Sequence, residues 1–358
     1  MKKFFKATLS RIIVLIIIFT TLFSCAPASN KNYFAYWNEN SKVVTELTSF
    51  VKETTDQNSS KFIPVEERIA VFDMDGTIFC ETDPTYYEYL MTFDVVLNNY
   101  DKNNSYDAQL VKEINEVLKT GVVSDELELK LSREEYIYFV NKPISEYVDY
   151  VKSYLDRDTK SYKNMKIKDM LYKPMLEVIE YLQANEFTVY IVSGTERNFV
   201  RTVVCEGAGI HPNHVIGMDF TIKTSKQGNE INSVHQFTRD EDMIIAGPAA
   251  NINIKTNKVI AINEEIGMYP VLAFGNSTGD FSMMEYTLKN DKYDSKCFMV
   301  LCDDNVRENG DLEKAAMIKS VSDQKGYTII SMKDDWKTIY GYEVEKINWK
   351  HRVTSNFI

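Results

Sequence analysis

The segment Ile69-Ala-Val-Phe-Asp73-Met-Asp75-Gly-Thr-Ile78 decides the fold of this 358-residue chain. Its first four residues, Ile69 to Phe72, form an apolar run with the length and composition of a short buried strand. The run ends at two carboxylates one residue apart, Asp73 and Asp75. Because ligands of open α/β sheets bind at the carboxyl ends of the strands, this pair predicts a functional site.

The chemistry that suits such a pair is attack by one carboxylate and proton transfer by the other. A divalent cation would let both groups stay ionised side by side. Two structural interpretations compete with this one: a calcium-binding loop, or a strand-to-turn exit whose acids cap a helix. The rest of the chain favours the catalytic interpretation.

The composition indicates a globular, acidic protein. The chain is 44% hydrophobic and 26% charged, which is enough to bury a sizeable core, and its net charge is −11. We therefore expect no nucleic-acid partner. The cysteines outside the N-terminal segment lack the spacing of a zinc site, and we expect buried free thiols with no assignable disulfide. These cysteines are Cys80, Cys205, Cys297 and Cys302.

The N-terminal segment predicts export. Its first 24 residues contain four basic side chains and no acid, and the apolar run from Ile12 to Phe23 has the form of a signal-peptide core. The run closes with Leu22-Phe-Ser-Cys25, which resembles the lipobox of bacterial lipoproteins, whose cysteine carries the lipid. The alternative is an uncleaved N-terminal anchor. We expect an exported protein with a lipid anchor at Cys25, periplasmic or at the cell surface, and on the outer membrane where the cell has one.

Hydrophobic periodicity divides the rest of the chain. We expect a signal peptide over 1–24, a polar tether over 25–42, a helical insertion over 81–182, and an α/β core made of 43–80 and 183–358. Within the insertion the apolar spacing predicts helices and no strand. The predicted helices are 86–98, 108–119, 133–140, 144–155 and 174–182. Tyrosines are concentrated in this block, where most should pack a core and a few should face the Asp73–Asp75 pair.

Further apolar runs also end in polar residues. The run 187–192 ends in Ser193-Gly194-Thr195, which suits phosphate binding, with simple helix capping as the alternative. Lys258 opens a predicted helix, and the run 270–274 ends in Gly275-Asn276-Ser-Thr-Gly-Asp280, whose amide and carboxylate suit magnesium. The alternation of strands and helices predicts a Rossmann-like α/β fold with a doubly wound parallel sheet.

In this order the four motifs resemble those of the haloacid dehalogenase superfamily, over about residues 69–332. The Asp-Met-Asp-Gly-Thr motif is specific, whereas the serine and lysine motifs are weak alone. The helical insertion between the first two motifs is similar to the cap of the phosphoserine-phosphatase-like branch. A looser similarity, at residues 33–37 and 217–218, points to periplasmic phosphorylcholine phosphatases.

The resemblance implies a role for each matched residue. Asp73 would be the nucleophile that forms an aspartyl-phosphate, and Asp75 the general acid and base. Ser193 would hold the phosphoryl group and Lys258 would balance its charge, with Lys255 as the reserve candidate. Further phosphate contacts would come from Gly76, Thr77, Gly194 and Thr195. The implied ligands of Mg²⁺ are Asp73, Asp75 (through its backbone carbonyl), Asn276 and Asp280.

One position departs from the family pattern. The fourth motif usually begins Gly-Asp, and here it is Gly275-Asn276. An amide oxygen can ligate magnesium but brings no charge. Either the metal affinity is lower, or Asp280 is the direct ligand.

The implied function is a magnesium-dependent phosphatase acting on a small exported phosphomonoester, phosphocholine-like or phosphoserine-like. Of the adjacent tyrosines Tyr86, Tyr87 and Tyr89, at most two can face one pocket and offer a cation–π surface to a trimethylammonium group. The alternative is a catalytically inactive surface lipoprotein of the same fold that binds a ligand or partner. A dehalogenase is disfavoured, because dehalogenases of this superfamily generally do without the second aspartate.

Overall fold

A seven-stranded sheet lies at the centre of the protein, as seen in a computed structural model that describes residues 31–347. The strand order is β5-β4-β3-β1-β6-β7-β8, and neighbouring strands are parallel except β4 and β5. The prediction of a Rossmann-like α/β fold with a mostly parallel sheet is confirmed. The strands are β1 (Ile69–Phe72), β3 (Thr188–Glu196), β4 (Val215–Thr224), β5 (Met243–Asn251), β6 (Leu272–Gly275), β7 (Lys296–Leu301) and β8 (Thr328–Ser331).

Helices connect these strands along the chain. A second, two-stranded sheet pairs β2 (Tyr162–Lys163) with β9 (Glu345–Lys346) in antiparallel orientation. The helices are α1 (Lys42–Thr55), α2 (Tyr87–Asn99), α3 (Ser105–Thr120), α4 (Asp125–Ile137), α5 (Ile144–Leu155), α6 (Lys173–Ala184), α7 (Arg197–Gly207), α8 (Thr256–Glu265), α9 (Phe281–Leu288), α10 (Leu312–Lys325) and α11 (Met332–Asp335).

The central position of β1 follows from its composition, because all four of its residues are apolar and fully buried. Phe72 of β1 stacks on Phe274 of β6, and Phe274 stacks on Phe298 of β7, with ring centroids 4.1 and 4.8 Å apart. Aromatic rings this large contribute heavily to the core. The stacked row therefore holds the adjacent strands whose exits carry Asp73 and Asn276.

The inserted helices have a small apolar core of their own. Side chains from α2, α3 and α4 form it, including Phe93, Leu110, Ile114 and Leu127. Helix α6 behaves differently, since its buried residues share the cluster under the sheet with β3. The predicted insertion boundary at residue 182 therefore falls inside α6, a helix that packs with the sheet.

Two local predictions in the insertion are wrong. The helix predicted at 133–140 is α4, which begins eight residues earlier because the Ser124 hydroxyl accepts a hydrogen bond from the Leu127 N–H at 3.2 Å. The prediction of no strand fails at β2. Two paired residues leave no alternating pattern, and the partner strand lies far along the chain.

The predicted tether over 25–42 ends earlier than expected. Trp37 is 1% exposed, its indole N–H donates to the Pro174 carbonyl at 3.0 Å, and its ring contacts Trp336 edge-on. The N–H groups of Ala35 and Tyr36 donate to the Glu177 carboxylate. The chain therefore packs against the core from about residue 35, because Trp37 is buried against Pro174 and Trp336, which lie far away in sequence.

Several predictions concern the termini and the thiols. The signal peptide over 1–24 and the lipidation site Cys25 lie outside the described residues, as does the end of the core, 348–358. Within residues 31–347, no helix combines the length and apolar character that crossing a bilayer requires. The four cysteines in that range are free, as expected; Cys80 and Cys297 are buried, whereas Cys205 and Cys302 are only half-buried.

The segment between β4 and β5 is held together by contacts of His235. The Nδ1 atom of His235 lies 3.2 Å from Glu230 Oε2, and its Nε2 atom lies 2.8 Å from Glu241 Oε2. The hydrogen bond with Glu241 is the main cause that raises the pKa of His235. Hydrogen bonds from Thr224, His235 and Thr238 lower the pKa of Glu241 to about 2. The contacts of His235 therefore stabilise the segment between β4 and β5 most strongly when the imidazole is protonated.

We predict that His235→Gln lowers the melting temperature in mild acid and much less in alkali. The folded-state pKa of His235 lies above its ordinary value of 6.5, so its stabilisation is complete below that value and is lost as the pH rises through the folded-state pKa. Circular dichroism melts of both proteins from about pH 5.5 to about pH 9 give the difference. A difference that does not change across this range contradicts the prediction.

Candidate active site

A cavity of about 130 Å³ lies at the carboxyl ends of β1 and β6. The sheet order brings these strands together with β3, so motifs that are far apart in sequence meet at one edge. The predicted site residues that line the cavity are Asp73, Asp75, Gly194, Thr195, Lys258, Asn276 and Asp280.

Lys258 is the cation at the centre of the site. It lies in the first turn of α8 and is 2% exposed. Its Nζ atom is 2.6 Å from Asp73 Oδ1 and 2.7 Å from Asp280 Oδ1. Burial opposes the charge, but the attraction of Asp280 and Asp73 outweighs it and raises the pKa of Lys258. Lys258 therefore stays charged between two buried carboxylates.

The reserve candidate, Lys255, takes no part in this arrangement. It is exposed, it precedes α8 with a φ of 53°, and its N–H donates to the Gly279 carbonyl. The structure places Lys258, and not Lys255, against Asp73.

Asp280 is fully engaged. Its Oδ1 atom accepts from Lys258, and its Oδ2 atom accepts from the N–H groups of Asn276 and Ser277 at 3.0 and 3.1 Å. Gly275 makes this possible, since a Cβ there would lie 2.6–2.8 Å from atoms of the Asp280 side chain. Asp280 thus orients Lys258 and shapes the loop, and both of its oxygens already accept hydrogen bonds.

Asp75 is turned toward β3. Its Oδ2 atom accepts a hydrogen bond from the Thr195 hydroxyl at 2.8 Å, and the Ser193 hydroxyl lies 3.5 Å away. Burial raises the pKa of Asp75 to about 7, against the opposing effect of the Thr195 hydrogen bond. A carboxyl group with such a pKa can both donate and accept a proton near neutrality.

Asp73 is the carboxylate that faces the cavity. Burial, and then the neighbouring Asp280, raise its pKa, while Lys258 acts in the opposite direction. One of its oxygens is held by Lys258, and the other makes no hydrogen bond within the described residues. That second oxygen is available for chemistry or for a ligand.

Three predicted residues do not line the cavity. Ser193 is fully buried behind Asp75, where its hydroxyl accepts from the Thr195 N–H at 3.2 Å. Thr77 is also fully buried, and within the described part of the chain its hydroxyl has no partner. Gly76 forms the floor of the loop, with a φ of 75° that favours glycine.

The donor set fits a magnesium ion. In the described part of the chain no three His, Cys, Asp or Glu side chains gather into a metal-holding cluster. Mg²⁺ does not require one, because it takes one or two carboxylates and completes its shell with water and phosphate. The free oxygen of Asp73 and the side-chain amide of Asn276, which has no hydrogen bond within residues 31–347, face the same cavity. Of the two candidates in the fourth motif, Asn276 is therefore the better ligand.

The insertion closes the other side of the cavity. Its contribution consists of Tyr86, Glu88 and Tyr89 at the start of α2 and Glu128 of α4. The rings of Tyr86 and Tyr89 meet edge to face at 5.4 Å, and the Tyr89 hydroxyl donates to Glu128 at 2.8 Å. Tyr87 is buried outside this cavity, where its hydroxyl donates a hydrogen bond to Asp83. The expectation that at most two of these three tyrosines share a pocket therefore agrees with the structure.

Sequence reasoning missed Glu88 and Glu128. Glu88 is buried and accepts from the Glu196 N–H at 2.6 Å, and burial followed by Glu135 raises its pKa. Neither glutamate stands in a motif, and only the folding of α4 against α2 brings Glu128 to the cavity. A larger groove of about 750 Å³ adjoins the cavity and shares Tyr86, Tyr89 and Glu128 with it.

Comparison with known proteins agrees with this architecture. Residues 67–227 match the haloacid dehalogenase-like hydrolase family. This segment contains the Asp73 and Ser193 motifs, so the match agrees with the resemblance that these motifs carry. No curated protein matches the chain.

Several solved structures are similar to this chain at low sequence identity. A protein of unknown function from Anaerococcus prevotii is 15% identical, with a TM-score of 0.50 over 84% of this chain and 94% of its own. One from Bordetella pertussis is 13% identical, with a TM-score of 0.46 over 74% of this chain and 98% of its own. A phosphoserine phosphohydrolase-like protein from Francisella tularensis is 12% identical, with a TM-score of 0.38 over 70% and 92%. At 15% identity and a TM-score of 0.50, the likeness to the Anaerococcus prevotii protein concerns the fold alone.

We predict that Lys258→Met destabilises the folded chain by about 3–5 kcal/mol, because it leaves Asp73 and Asp280 buried without their shared cation. Lys255→Met is the matched control, and its cost should stay within about 0.5 kcal/mol because this side chain is exposed. Urea denaturation of both variants at neutral pH measures the difference. Equal costs for the two variants would contradict the central position of Lys258.

Proposed function

We propose that this chain, whose residues 67–227 match the haloacid dehalogenase-like hydrolase family, is a magnesium-dependent phosphomonoesterase that works through an aspartyl-phosphate. The observation that carries the proposal is the buried Lys258 ammonium, which holds one oxygen of Asp73 and leaves the other free at the cavity. A carboxylate oriented in this way suits nucleophilic attack.

In the first step the free oxygen of Asp73 attacks phosphorus, and the bond between phosphorus and the ester oxygen breaks. Asp75 donates its proton to the leaving oxygen, so that an alcohol departs. In the second step Asp75 takes a proton from water, the water oxygen attacks phosphorus, and the bond to Asp73 breaks. Inorganic phosphate and the free Asp73 carboxylate result.

Asp75 suits both proton transfers because of its surroundings. A pKa of about 7 means that it holds its proton in part of the molecules at neutral pH and can take it back from water. The Thr195 hydroxyl fixes the orientation of the carboxyl group. Ser193 lies behind both residues and supports the hydroxyl network.

Lys258 counters the charge that accumulates on the transferring phosphoryl group. Because Asp73 and Asp280 hold its ammonium in place, little reorganisation is needed during the reaction. A bound Mg²⁺ would add a second cation, beside Lys258, near the phosphoryl oxygens. Asp73 and Asn276, with the backbone carbonyl of Asp75, are the residues that would hold it.

The insertion side supports a small cationic leaving group. Tyr86 and Tyr89 offer aromatic faces, and Glu88 and Glu128 offer carboxyl groups, so the cavity wall combines the two features that bind ammonium groups. Phosphocholine-like and phosphoserine-like esters both carry such a group. We favour them as the substrate class.

We also propose that the enzyme works outside the cytoplasm, anchored by a lipid on Cys25. The support is the sequence of residues 1–25 alone, with its basic start, apolar run and lipobox-like end. An exported enzyme of this kind would release phosphate from small esters that reach the cell from outside.

We predict that the full chain releases phosphate from p-nitrophenyl phosphate, phosphocholine and phosphoserine only when Mg²⁺ is added. Asp73→Asn should lower the rate on the order of 10⁴-fold or more, since it removes the nucleophile. Asp94→Asn is the control, because Asp94 pairs with Arg157 and Tyr150 away from the cavity. Higher kcat/KM for the two esters that carry an ammonium group, phosphocholine and phosphoserine, than for p-nitrophenyl phosphate supports the cationic leaving group.

The absence of turnover at every Mg²⁺ concentration would contradict the proposal. The chain would then be better described as a surface lipoprotein that keeps the fold and binds a ligand or partner. Equal loss in Asp73→Asn and Asp94→Asn would show that the substitution acts on stability and not on the chemical step.

A further inference from the structure

A buried carboxylate beside the cavity lacks a complete set of partners. Glu81 follows the β1 exit loop, and its side chain is 4% exposed. Its Oε1 atom accepts from Lys314 Nζ at 2.9 Å, whereas its Oε2 atom is buried and has no hydrogen-bond partner among the described residues. A buried, unsatisfied carboxylate oxygen costs free energy unless something binds to it.

Glu81 lies next to Asn276. A Cβ placed on Gly76 would be 1.8 Å from Asn276 Nδ2 and 2.6 Å from the carboxyl carbon of Glu81. The two side chains therefore lie against the same face of Gly76, and only a glycine leaves room for them. The φ of 75° at Gly76 favours the same residue.

The pair differs in charge. Asn276 is neutral and stands where the fourth motif usually has an aspartate, and its side-chain amide makes no hydrogen bond within residues 31–347. Glu81 is an acid, and it stands in none of the four motifs. A neutral ligand at this point leaves a divalent cation short of one negative charge, and Glu81 has an unpartnered oxygen and lies beside Asn276.

Lys314 alone does not account for Glu81. The lysine side chain is 38% exposed, while the glutamate side chain is almost completely buried. A partly solvated lysine that reaches one oxygen compensates poorly for the desolvation of the whole carboxylate. Glu81 also acts on the site at a distance, since its charge contributes to the raised pKa of Asp75 and is the first cause of the raised pKa of Tyr86.

We propose that Glu81 supplies the metal site with the negative charge that Asn276 does not bring. The glutamate would act on Mg²⁺ directly or through a water molecule, and Lys314 would hold its other oxygen. This inference rests on the proposed function, in that it assigns a further residue to the same magnesium site.

The test measures the binding of Mg²⁺ alone to the full chain by isothermal titration calorimetry, without any substrate. Glu81→Gln keeps the shape of the side chain and should weaken Mg²⁺ binding about 10–100-fold. Asn276→Asp in the same chain moves the charge back to the motif position, and the double variant should bind Mg²⁺ within a few-fold of the wild type. This rescue is not expected from a structural role.

Two controls separate the charge from other effects. Glu128→Gln removes one charge from the insertion side of the same cavity and should leave the Mg²⁺ affinity unchanged. Lys314→Met removes the competing cation and should leave the affinity unchanged or raise it. If Glu81 served only to hold Lys314, neither Glu81→Gln nor Lys314→Met would change Mg²⁺ binding. Thermal melts without metal show whether each variant is folded.

Wild-type affinity in Glu81→Gln, or a double variant as weak as the single one, overturns the inference. Either result leaves the proposed function intact if phosphate release still requires Mg²⁺. Conversely, Mg²⁺ binding that depends on Glu81 in a chain with no phosphatase activity supports the inference and contradicts the proposed function.

Discussion

The ion triad of Lys258, Asp73 and Asp280 is the constraint on which the rest of the site depends. A buried lysine carries a large desolvation cost. Here two carboxylates, 2.6 and 2.7 Å from its Nζ atom, stabilise the charge. The same contacts fix the side chain of Asp73, because one of its oxygens belongs to the lysine. In the proposed mechanism, the nucleophile Asp73, its counter-charge Lys258 and the supporting acid Asp280 are thus positioned by one ion triad.

The triad also distributes the roles of the neighbouring groups. Asp280 accepts hydrogen bonds from Lys258 and from the loop N–H groups, so it positions the lysine. In the proposed metal site, Asp73 and Asn276 provide the side-chain ligands, which together bring only one negative charge. The unpartnered oxygen of Glu81 at the same glycine offers a physical answer to that deficit.

The sequence predicted those parts of the molecule that depend on local pattern. The apolar run 69–72 and the polar exits after it indicated the central strand and the edge where the site lies. The order of the motifs favoured Lys258 but left Lys255 open, and only the contact between Lys258 and Asp73 separates the two lysines. Other features depend on contacts between distant segments. Trp37 is buried against Trp336, and β2 pairs with β9, although neither segment carries a local signal.

The same reason explains the missed residues of the cavity. Glu128 reaches the site only because α4 packs beside α2, and the spacing of apolar residues does not reveal which polar side chain faces the cavity. The deficit at Asn276 was visible in the sequence. Its neighbour Glu81 was not, because its proximity depends on a turn at Gly76.

The proposed mechanism requires that Asp73 itself receives the phosphoryl group. The most direct measurement quenches the enzyme in acid during turnover of p-nitrophenyl phosphate with Mg²⁺, treats it with borohydride, and analyses the peptides by mass spectrometry. Borohydride reduces an aspartyl-phosphate to homoserine. The proposed mechanism therefore predicts homoserine at position 73, and none in a sample quenched without substrate. Phosphate release with an unmodified Asp73, or a phosphoryl group on another residue, would contradict it.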